Sequence, residues 1–179
     1  TNGQQRTKKD INPNFKEYPK IQHYKNYPQT FDDDQFVVVT EKIHGTNFRA
    51  GYVPVNPKGR WSKLWNKIKM YITKKPSYEF VYGSHRVQLQ NKKIYRGFYE
   101  SNVYSRMAFH YRLDEVLKPG MVIYGEIYGR DIQKGYDYGL KDGVDLIVFD
   151  VMQDGEFLDF WKAYQVCAEL NLPFIPVLA

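Results

Sequence analysis

The sequence has a single cysteine, Cys167, and therefore cannot form a disulfide within the chain. Cys167 lies on an apolar helical stripe, which favours a core position over a role as a nucleophile. The sequence has no run of about 18 apolar residues, the length needed to cross a bilayer. Its polar N-terminus lacks the pattern of a signal peptide. From these absences we expect a protein of an intracellular, reducing compartment that has no membrane as a partner.

Motifs of several enzyme classes are also missing from the sequence. It has no internal repeat, no P-loop, no Gly-x-Ser-x-Gly motif, and no cysteine and histidine cluster with zinc spacing. The 179 residues are 42% hydrophobic and include 16 tyrosines, which predicts one folded domain with a real core. The formal net charge of +6 favours a polyanionic partner.

The stretch that points most clearly to chemistry runs from Phe36 to Phe48. Phe36–Val39 is an apolar, β-branched run, which predicts a buried strand. Lys42 follows that strand, where burial would favour the neutral amine and make it a nucleophile. Gly45 permits a tight turn and a close approach of a ligand to the backbone. Lys-x-x-Gly by itself is a weak signal, because it more often marks an exposed Glu-Lys pair before a glycine turn.

The longer string Glu-Lys-Ile-His-Gly-Thr-Asn-Phe, residues 41–48, closely resembles the nucleotidyltransferase motif of the RNA ligase 2 family. Three later positions match that family in order: Arg86 after a predicted strand, Glu126 within residues 121–129, and Phe149 within residues 144–151. His44 resembles the RNA ligase branch, because DNA ligases and capping enzymes usually have aspartate before the motif glycine. The resemblance runs from about residue 15 to residue 178, with a gap at residues 54–77.

The resemblance implies an ATP-dependent RNA ligase that uses Mg²⁺ or Mn²⁺ and joins RNA ends or nicks in an RNA duplex through a lysyl-AMP intermediate. In this family, the lysine at the position of Lys42 attacks the α-phosphate of ATP. The implied nucleotide-binding residues beside it are Glu41, Ile43, His44, Asn47, Arg86, Glu126 and Phe149. Of these, the resemblance assigns His44, Asn47 and Arg86 to the phosphates, Glu126 to the ribose, and Phe149 to stacking on adenine. Strand alternation places Asp150 on the same face as Leu146 and Val148, away from Phe149, where it is a metal-water or structural acceptor.

Residues 54–77 lie outside the resemblance and contain seven cationic residues and no acidic one. Their apolar residues recur at helical spacing and predict an amphipathic helix, with the stripe Trp61, Leu64, Trp65, Ile68 and Ile72. Lys63, Lys67 and Lys74 fall on the other side of that helix. Two interpretations stay open: a helix packed through its stripe with solvated lysines, or a contact between the lysines and RNA phosphates. A membrane-surface helix is a more distant third.

The sequence predicts an α+β fold, the nucleotidyltransferase fold of ligase adenylation domains, which is unrelated to ATP-grasp. Antiparallel sheets are expected to form the cleft, with helices outside. We expect a flexible tail over residues 1–14 and a monomeric domain over residues 15–179. Predicted strands cover residues 36–39, 47–53, 78–82, 121–129, 144–151, 156–160 and 174–178. Predicted helices lie within residues 54–77, 103–117 and 161–170.

The family pattern also includes a Glu-Gly-x-Val strand and a Lys-x-Lys strand, motifs IV and V, which we do not find before Ala179. We therefore expect an incomplete adenylation domain from a longer ligase, or a divergent short form, with impaired adenylylation by this chain alone. Two alternatives stay open. One is a non-catalytic module that binds nucleotides or RNA ends, and the other is a relative of DNA ligases or capping enzymes.

Overall fold

The computed structural model describes residues 11–73, 76–90, 102–133, 135–140 and 142–179. Within them, six strands form one antiparallel sheet: β1 Thr46–Pro54, β2 Tyr78–Gly83, β3 Gln88–Gln90, β4 Met121–Tyr128, β5 Asp145–Gln153 and β6 Glu156–Phe157. Their order across the sheet is β3-β2-β1-β4-β5-β6. Neighbours in sequence are mostly neighbours in space, and most of the predicted site is divided among the turn before β1 and the strands β1, β4 and β5.

Helices flank the sheet: α1 Arg60–Thr73, α2 Val103–His110, α3 Leu113–Val116 and α4 Phe160–Glu169. Short 3-10 turns occur at Tyr24–Asn26 and Pro28–Thr30. Asn102 and Asp159 cap α2 and α4 by accepting hydrogen bonds from backbone N–H groups of the first helical turn. The α+β class predicted from the sequence is confirmed.

The two faces of the sheet bury two separate clusters of apolar side chains. One face, with Phe48, Ile123 and Val148, packs against α2, α3 and α4. The opposite face, with Val122 and Tyr124, is covered by the N-terminal segment. Because side chains alternate along a strand, each central strand contributes to both clusters.

Cys167 lies in the helical cluster and is fully buried, which confirms the core position predicted for it. Burial raises the pKa of its thiol to about 12. A thiol that stays protonated at neutral pH is a poor nucleophile, so Cys167 contributes packing to this fold.

Residues 11–14, predicted to belong to a flexible tail, instead pack against the sheet, while residues 1–10 lie outside the described residues. Asn12 is buried: its backbone N–H donates to Gln88 Oε1 at 2.6 Å, and its side-chain amide donates to the Pro54 carbonyl at 2.9 Å. The tail prediction is therefore wrong for these four residues. A short polar stretch gives no hydrophobic period, so its docking could not be predicted from local pattern.

A buried arginine anchors the next part of the N-terminal segment. Arg49 on β1 donates through Nη1 to the Phe15 carbonyl at 2.7 Å and through Nε to the Ser84 carbonyl at 3.1 Å. Its guanidinium carbon lies 4.1 Å from the centre of the Phe15 ring. Burial lowers the pKa of this guanidinium. These contacts hold the N-terminal segment against β1 and against the turn that follows β2.

The strand predicted at Phe36–Val39 is wrong, because these residues are exposed and lie outside the sheet. Among the described residues, the backbone partners of this stretch are C-terminal residues: Val39 N–H donates to the Ala179 carbonyl, and Leu178 N–H donates to the Val39 carbonyl. The strand predicted over residues 174–178 is likewise reduced to isolated bridges. Apolar β-branched composition predicted an extended conformation here, but no strand pairs alongside to bury it.

Two further predicted elements differ from the structure. The helix predicted over residues 103–117 is divided into α2 and α3 by Arg112, which adopts the left-handed conformation with φ 48°. The strand predicted around residues 156–160 is limited to Glu156–Phe157, because α4 begins at Phe160. Both differences are of extent, since an element exists at each predicted place.

The helix predicted within residues 54–77 is confirmed as α1, in the connection between β1 and β2. The two strands stay paired at its base, where Val55 N–H donates to the Ser77 carbonyl at 2.9 Å. None of its residues is buried, so the interpretation of a helix packed through its apolar stripe is wrong for the described part of the chain. Lys63 and Lys67 lie exposed on α1, and Lys74 lies outside the described residues.

Candidate active site

A half-open cavity of about 580 Å³ lies between the sheet face and the segments that cover it. Its lining comes from the N-terminal segment, the turn before β1, the strands β4 and β5, and the start of α4. The lining residues are Tyr18, Ile21, Val38, Thr40, Glu41, Lys42, Ile43, Glu126, Ile147, Phe149, Asp150, Leu158, Phe160, Ala163 and Ile175. Small-molecule sites commonly have this size and this mixture of apolar walls with a few charged groups.

The turn that carries Lys42 lies directly on β4. A Cβ atom added at Gly45 would lie 2.1 Å from the Ile127 backbone oxygen, so only glycine permits this approach. Lys42 lines the cavity but its side chain is exposed. The predicted desolvation of this lysine by a buried strand is therefore wrong in this structure, because the residues before it are themselves at the surface.

Glu126 on β4 lies beside the Lys42 turn and is half-buried. Burial raises the pKa of its carboxyl group, while a hydrogen bond from the Gly45 backbone N–H and the positive charge of Lys42 act in the opposite direction. The carboxylate is therefore held at the cavity wall, within the electrostatic reach of Lys42. It is suited to accept a hydrogen bond from a ligand hydroxyl.

We expect Glu126→Gln to be more stable than the parent chain at pH 7.5. Because the carboxyl pKa is raised in the folded state, the folded chain binds more protons than the unfolded chain between the two pKa values. Stability therefore falls as pH rises through that window, which begins near the ordinary Glu value of about 4.3. Urea unfolding at pH 5 and pH 7.5 measures this loss, which the Gln variant should reduce. Glu156→Gln, at an exposed position, should leave the free energy of unfolding unchanged at both pH values. An equal pH dependence of unfolding in all three chains contradicts the prediction.

Phe149 and Asp150 both line the cavity, which corrects the predicted alternation along β5. The pairing of β4 with β5 shifts between Tyr124 and Gly125: Tyr124 opposes Asp150, and Gly125 opposes Val148, so Phe149 has no partner. An extra residue of this kind is a β-bulge, which re-aims the side chains after it. Asp150 therefore shares the cavity side with Phe149 and does not lie with Val148.

Tyr18 is a cavity residue that sequence reasoning missed. Its hydroxyl donates to Asp150 Oδ2 at 2.9 Å, and its ring meets the Phe149 ring edge-to-face at 5.1 Å between centroids. Burial, followed by the charge of Asp150, raises the pKa of the Tyr18 hydroxyl, so it remains a donor. Burial likewise raises the pKa of the Asp150 carboxyl. No sequence signal separates Tyr18 from the other tyrosines, because its role depends on the docking of a segment that has no regular period.

Three predicted phosphate contacts lie outside the residues that line the cavity. His44 packs its ring 5.0 Å from the ring of Tyr136, and its backbone N–H donates to the Tyr138 hydroxyl at 2.7 Å. Asn47 opposes Glu126 across the β1–β4 pair, and its buried Oδ1 has no hydrogen-bond partner among the described residues. Arg86 lies exposed in the turn after β2. Tyr136 and Tyr138 thus bring the loop after β4 against the Lys42 turn.

The described residues contain no group of three or more metal-ligating side chains. Asp150, the predicted candidate, already accepts hydrogen bonds at both carboxylate oxygens, from Tyr18 and from the Val151 backbone N–H. These contacts show Asp150 acting as a structural acceptor in this structure. Among the same residues, no helix is both long and apolar enough to cross a membrane.

Comparison with solved structures identifies the fold. An apo mutant of the Naegleria gruberi RNA ligase aligns with 79% of this chain at 18% identity and a TM-score of 0.54. A second mutant of that ligase, with ATP and Mn, aligns at 16% identity with the same TM-score. A protein of Aquifex aeolicus described as an ATP-dependent DNA ligase covers 91% of the chain at 21% identity, again with a TM-score of 0.54. The chain spans only 35%, 36% and 38% of these three structures, respectively.

These structural similarities establish the fold of a ligase adenylation domain. No curated protein sequence matches the chain. A family model described as RNA ligase, however, matches residues 35–179, which include the Lys42 turn and the strands β1, β4 and β5. Because this match covers most of the sequence, the chain belongs to the RNA ligase family.

Proposed function

We propose that this chain carries the adenylyl-transfer site of an ATP-dependent RNA ligase that joins RNA ends through a lysyl-AMP intermediate. The observation that carries the proposal is the meeting of Lys42, Glu126 and Phe149 at one cavity. These residues come from the turn before β1, from β4 and from β5. An amine, a carboxylate and an aromatic ring around one space match the needs of an attacking nucleophile, a ribose and a purine.

ATP fits the cavity in one general arrangement. The adenine ring stacks near Phe149, whose ring is met at nearly a right angle by the ring of Tyr18. The ribose hydroxyls donate to Glu126. The α-phosphate then lies at Lys42, flanked by Glu41 and Ile43. His44, Asn47 and Arg86 act on the phosphates of ATP or of the RNA end. The nucleotide covers the exposed Lys42 amine and excludes water from it.

The covalent step follows from this arrangement. Lys42 Nζ attacks the α-phosphorus, a P–N bond forms, and the bond to the oxygen that bridges the α- and β-phosphates breaks. Pyrophosphate leaves and takes up the proton that the neutral Lys42 amine loses as the P–N bond forms. AMP then passes to the 5′-phosphate of RNA, from which an RNA 3′-hydroxyl displaces it. The phosphates of ATP would hold a divalent ion, Mg²⁺ or Mn²⁺, whose contribution would be to neutralise part of their charge.

Incubation with α-labelled ATP and Mn²⁺ or Mg²⁺ tests the proposal. We expect a covalent label that survives denaturing electrophoresis and is released by pyrophosphate, and that forms more slowly than in a ligase chain that includes motifs IV and V. Sealing of a nick in an RNA duplex and in a DNA duplex of the same sequence then identifies the substrate, and we expect the RNA nick to be preferred. Binding of ATP without a label supports the non-catalytic alternative, and preference for nicked DNA supports a DNA ligase.

A further inference from the structure

Helix α1 exposes an apolar stripe that no described part of the chain covers. Trp61 is 78% exposed, Trp65 is 68% exposed and Tyr71 is 86% exposed. Leu64, Ile68 and Ile72 on the same stripe are also exposed. Monomeric proteins rarely leave a contiguous apolar surface of this kind in water unless it binds something.

The charge around this stripe is of one sign. Residues 54–77 contain seven cationic residues and no acidic one. Arg60 lies one helical turn from Leu64, and Lys69 lies one turn from Trp65, so a cation stands at each edge of the stripe, whereas Lys63 and Lys67 lie on the other side of α1. Aromatic side chains next to a row of cations form the usual platform for a single-stranded nucleic acid, because bases stack while phosphates track the charges.

A groove separates one side of α1 from the residues that join it to the sheet. Its volume is about 560 Å³, and it is lined by Trp65, Ile68 and Ile72 of α1 together with Val55 and Pro57 before it. Lys69 and Asn66 also face this groove. A concave apolar groove with a cation and an amide suits a nucleobase with its phosphate, whereas a flat bilayer surface would bury those polar groups without partners.

We propose that α1 is a docking surface for the single-stranded RNA that flanks the ends being joined, and this proposal rests on the proposed function. Unpaired bases stack on Trp61 and Trp65, and phosphates lie along Arg60 and Lys69 at the edges of the stripe. α1 begins beyond the far end of β1, which, as a nine-residue strand, is about 26 Å long. The surface therefore binds nucleotides away from the junction at Lys42 and acts on RNA affinity, with no part in adenylylation.

The test measures binding of a fluorescein-labelled, unstructured RNA by anisotropy. We expect Trp61→Ala with Trp65→Ala to weaken binding of an RNA of about 20 nucleotides by tenfold or more, since each stacked base contributes about 1–3 kcal/mol. Trp161→Ala is the matched control, because Trp161 is an exposed tryptophan on α4. An RNA of about 4 nucleotides, at the lower limit of single-strand site sizes, should show a smaller difference.

The cations at the edges of the stripe have their own measurement. Arg60→Glu with Lys69→Glu should flatten the dependence of log K on log salt by about 1.4 or more, because each phosphate contact in a single strand contributes about 0.7. Lys25→Glu with Lys162→Glu, at exposed positions outside α1, makes the same change in net charge and is the matched control, which should leave the slope unchanged. An unchanged slope in the Arg60 and Lys69 double variant overturns the assignment of these two cations.

Other outcomes overturn the proposal and are separable from failure of the proposed function. Unchanged RNA affinity in the double Trp variant overturns it, as does an equal loss in Trp161→Ala. If the double Trp variant loses co-sedimentation with phosphatidylserine vesicles but keeps RNA binding, the stripe binds a membrane. If it loses self-association but keeps RNA binding, the stripe binds a second copy of the chain. Covalent labelling by ATP should be equal in all these variants. If labelling is absent but RNA binding follows the variants, the docking surface stands and the proposed catalysis fails.

Discussion

Lys42→Ala and Lys42→Arg should acquire no covalent label from α-labelled ATP. Loss of a residue that only stabilises charge in the transition state typically reduces a rate by about 10²–10³-fold. Loss of the nucleophile is more severe, because no other group can form the same P–N bond at the α-phosphorus. Arg retains the positive charge but offers no neutral amine at any accessible pH. The measurement is the labelled fraction after denaturing electrophoresis.

The matched control for this experiment is Lys118→Ala, which removes an exposed lysine from the turn before β4. It should label as the parent chain does. ATP affinity of the Lys42 variants, measured by calorimetry, should fall much less than labelling, because Glu126 and Phe149 remain in the cavity. A label that persists in Lys42→Ala would assign the chemistry to another nucleophile.

Gly45→Ala is expected to reduce labelling about 100-fold or more, since misplacement of a reacting group by about 1 Å can cost that much. An added Cβ would lie 2.1 Å from the Ile127 oxygen and 3.1 Å from Glu126 Cγ. The Ile127 oxygen belongs to the backbone of a central strand and cannot move aside. The turn must therefore lift from β4, which displaces Lys42 and removes the hydrogen bond from Gly45 to Glu126.

Gly59→Ala is the matched control for backbone effects. Gly59 has a positive φ of 92° and nothing within 4 Å of an added Cβ. The control variant therefore incurs the left-handed cost of about 1–2 kcal/mol without a collision. It should label normally. Normal labelling by Gly45→Ala, with an unchanged urea midpoint, would show that the turn does not depend on its close approach to β4.

Much of the site could be predicted from the sequence because its residues lie in short, locally specified stretches. Lys42 is followed closely by Gly45, and Glu126 and Phe149 lie inside apolar runs that predict central strands. Continuous apolar runs are typical of strands whose two faces are both buried. In the structure, β4 and β5 are adjacent strands of the sheet. The register between them then brings Glu126 and Phe149 to the same cavity.

The remaining features depend on contacts between distant segments, which no local pattern records. Tyr18 reaches Asp150 only because Arg49 holds the preceding part of the N-terminal segment on the sheet. The bulge at Phe149 reverses the predicted side of Asp150, and a single extra residue in a ladder leaves no trace in hydrophobic alternation. The exposure of Phe36 was unpredictable for a related reason: composition favours an extended chain but does not supply its neighbours.

The paired base beneath α1 has an evolutionary consequence. Pro54 and Tyr78 face each other across the β1–β2 ladder, so the chain leaves and re-enters the sheet at one point. A segment anchored in this way can be replaced by another, because a tight turn can also close the β1–β2 hairpin without altering the strand register. Enzymes with this fold can therefore gain, lose or exchange the segment between these two strands. Such a change would alter their substrate without changing the strands that line the cavity.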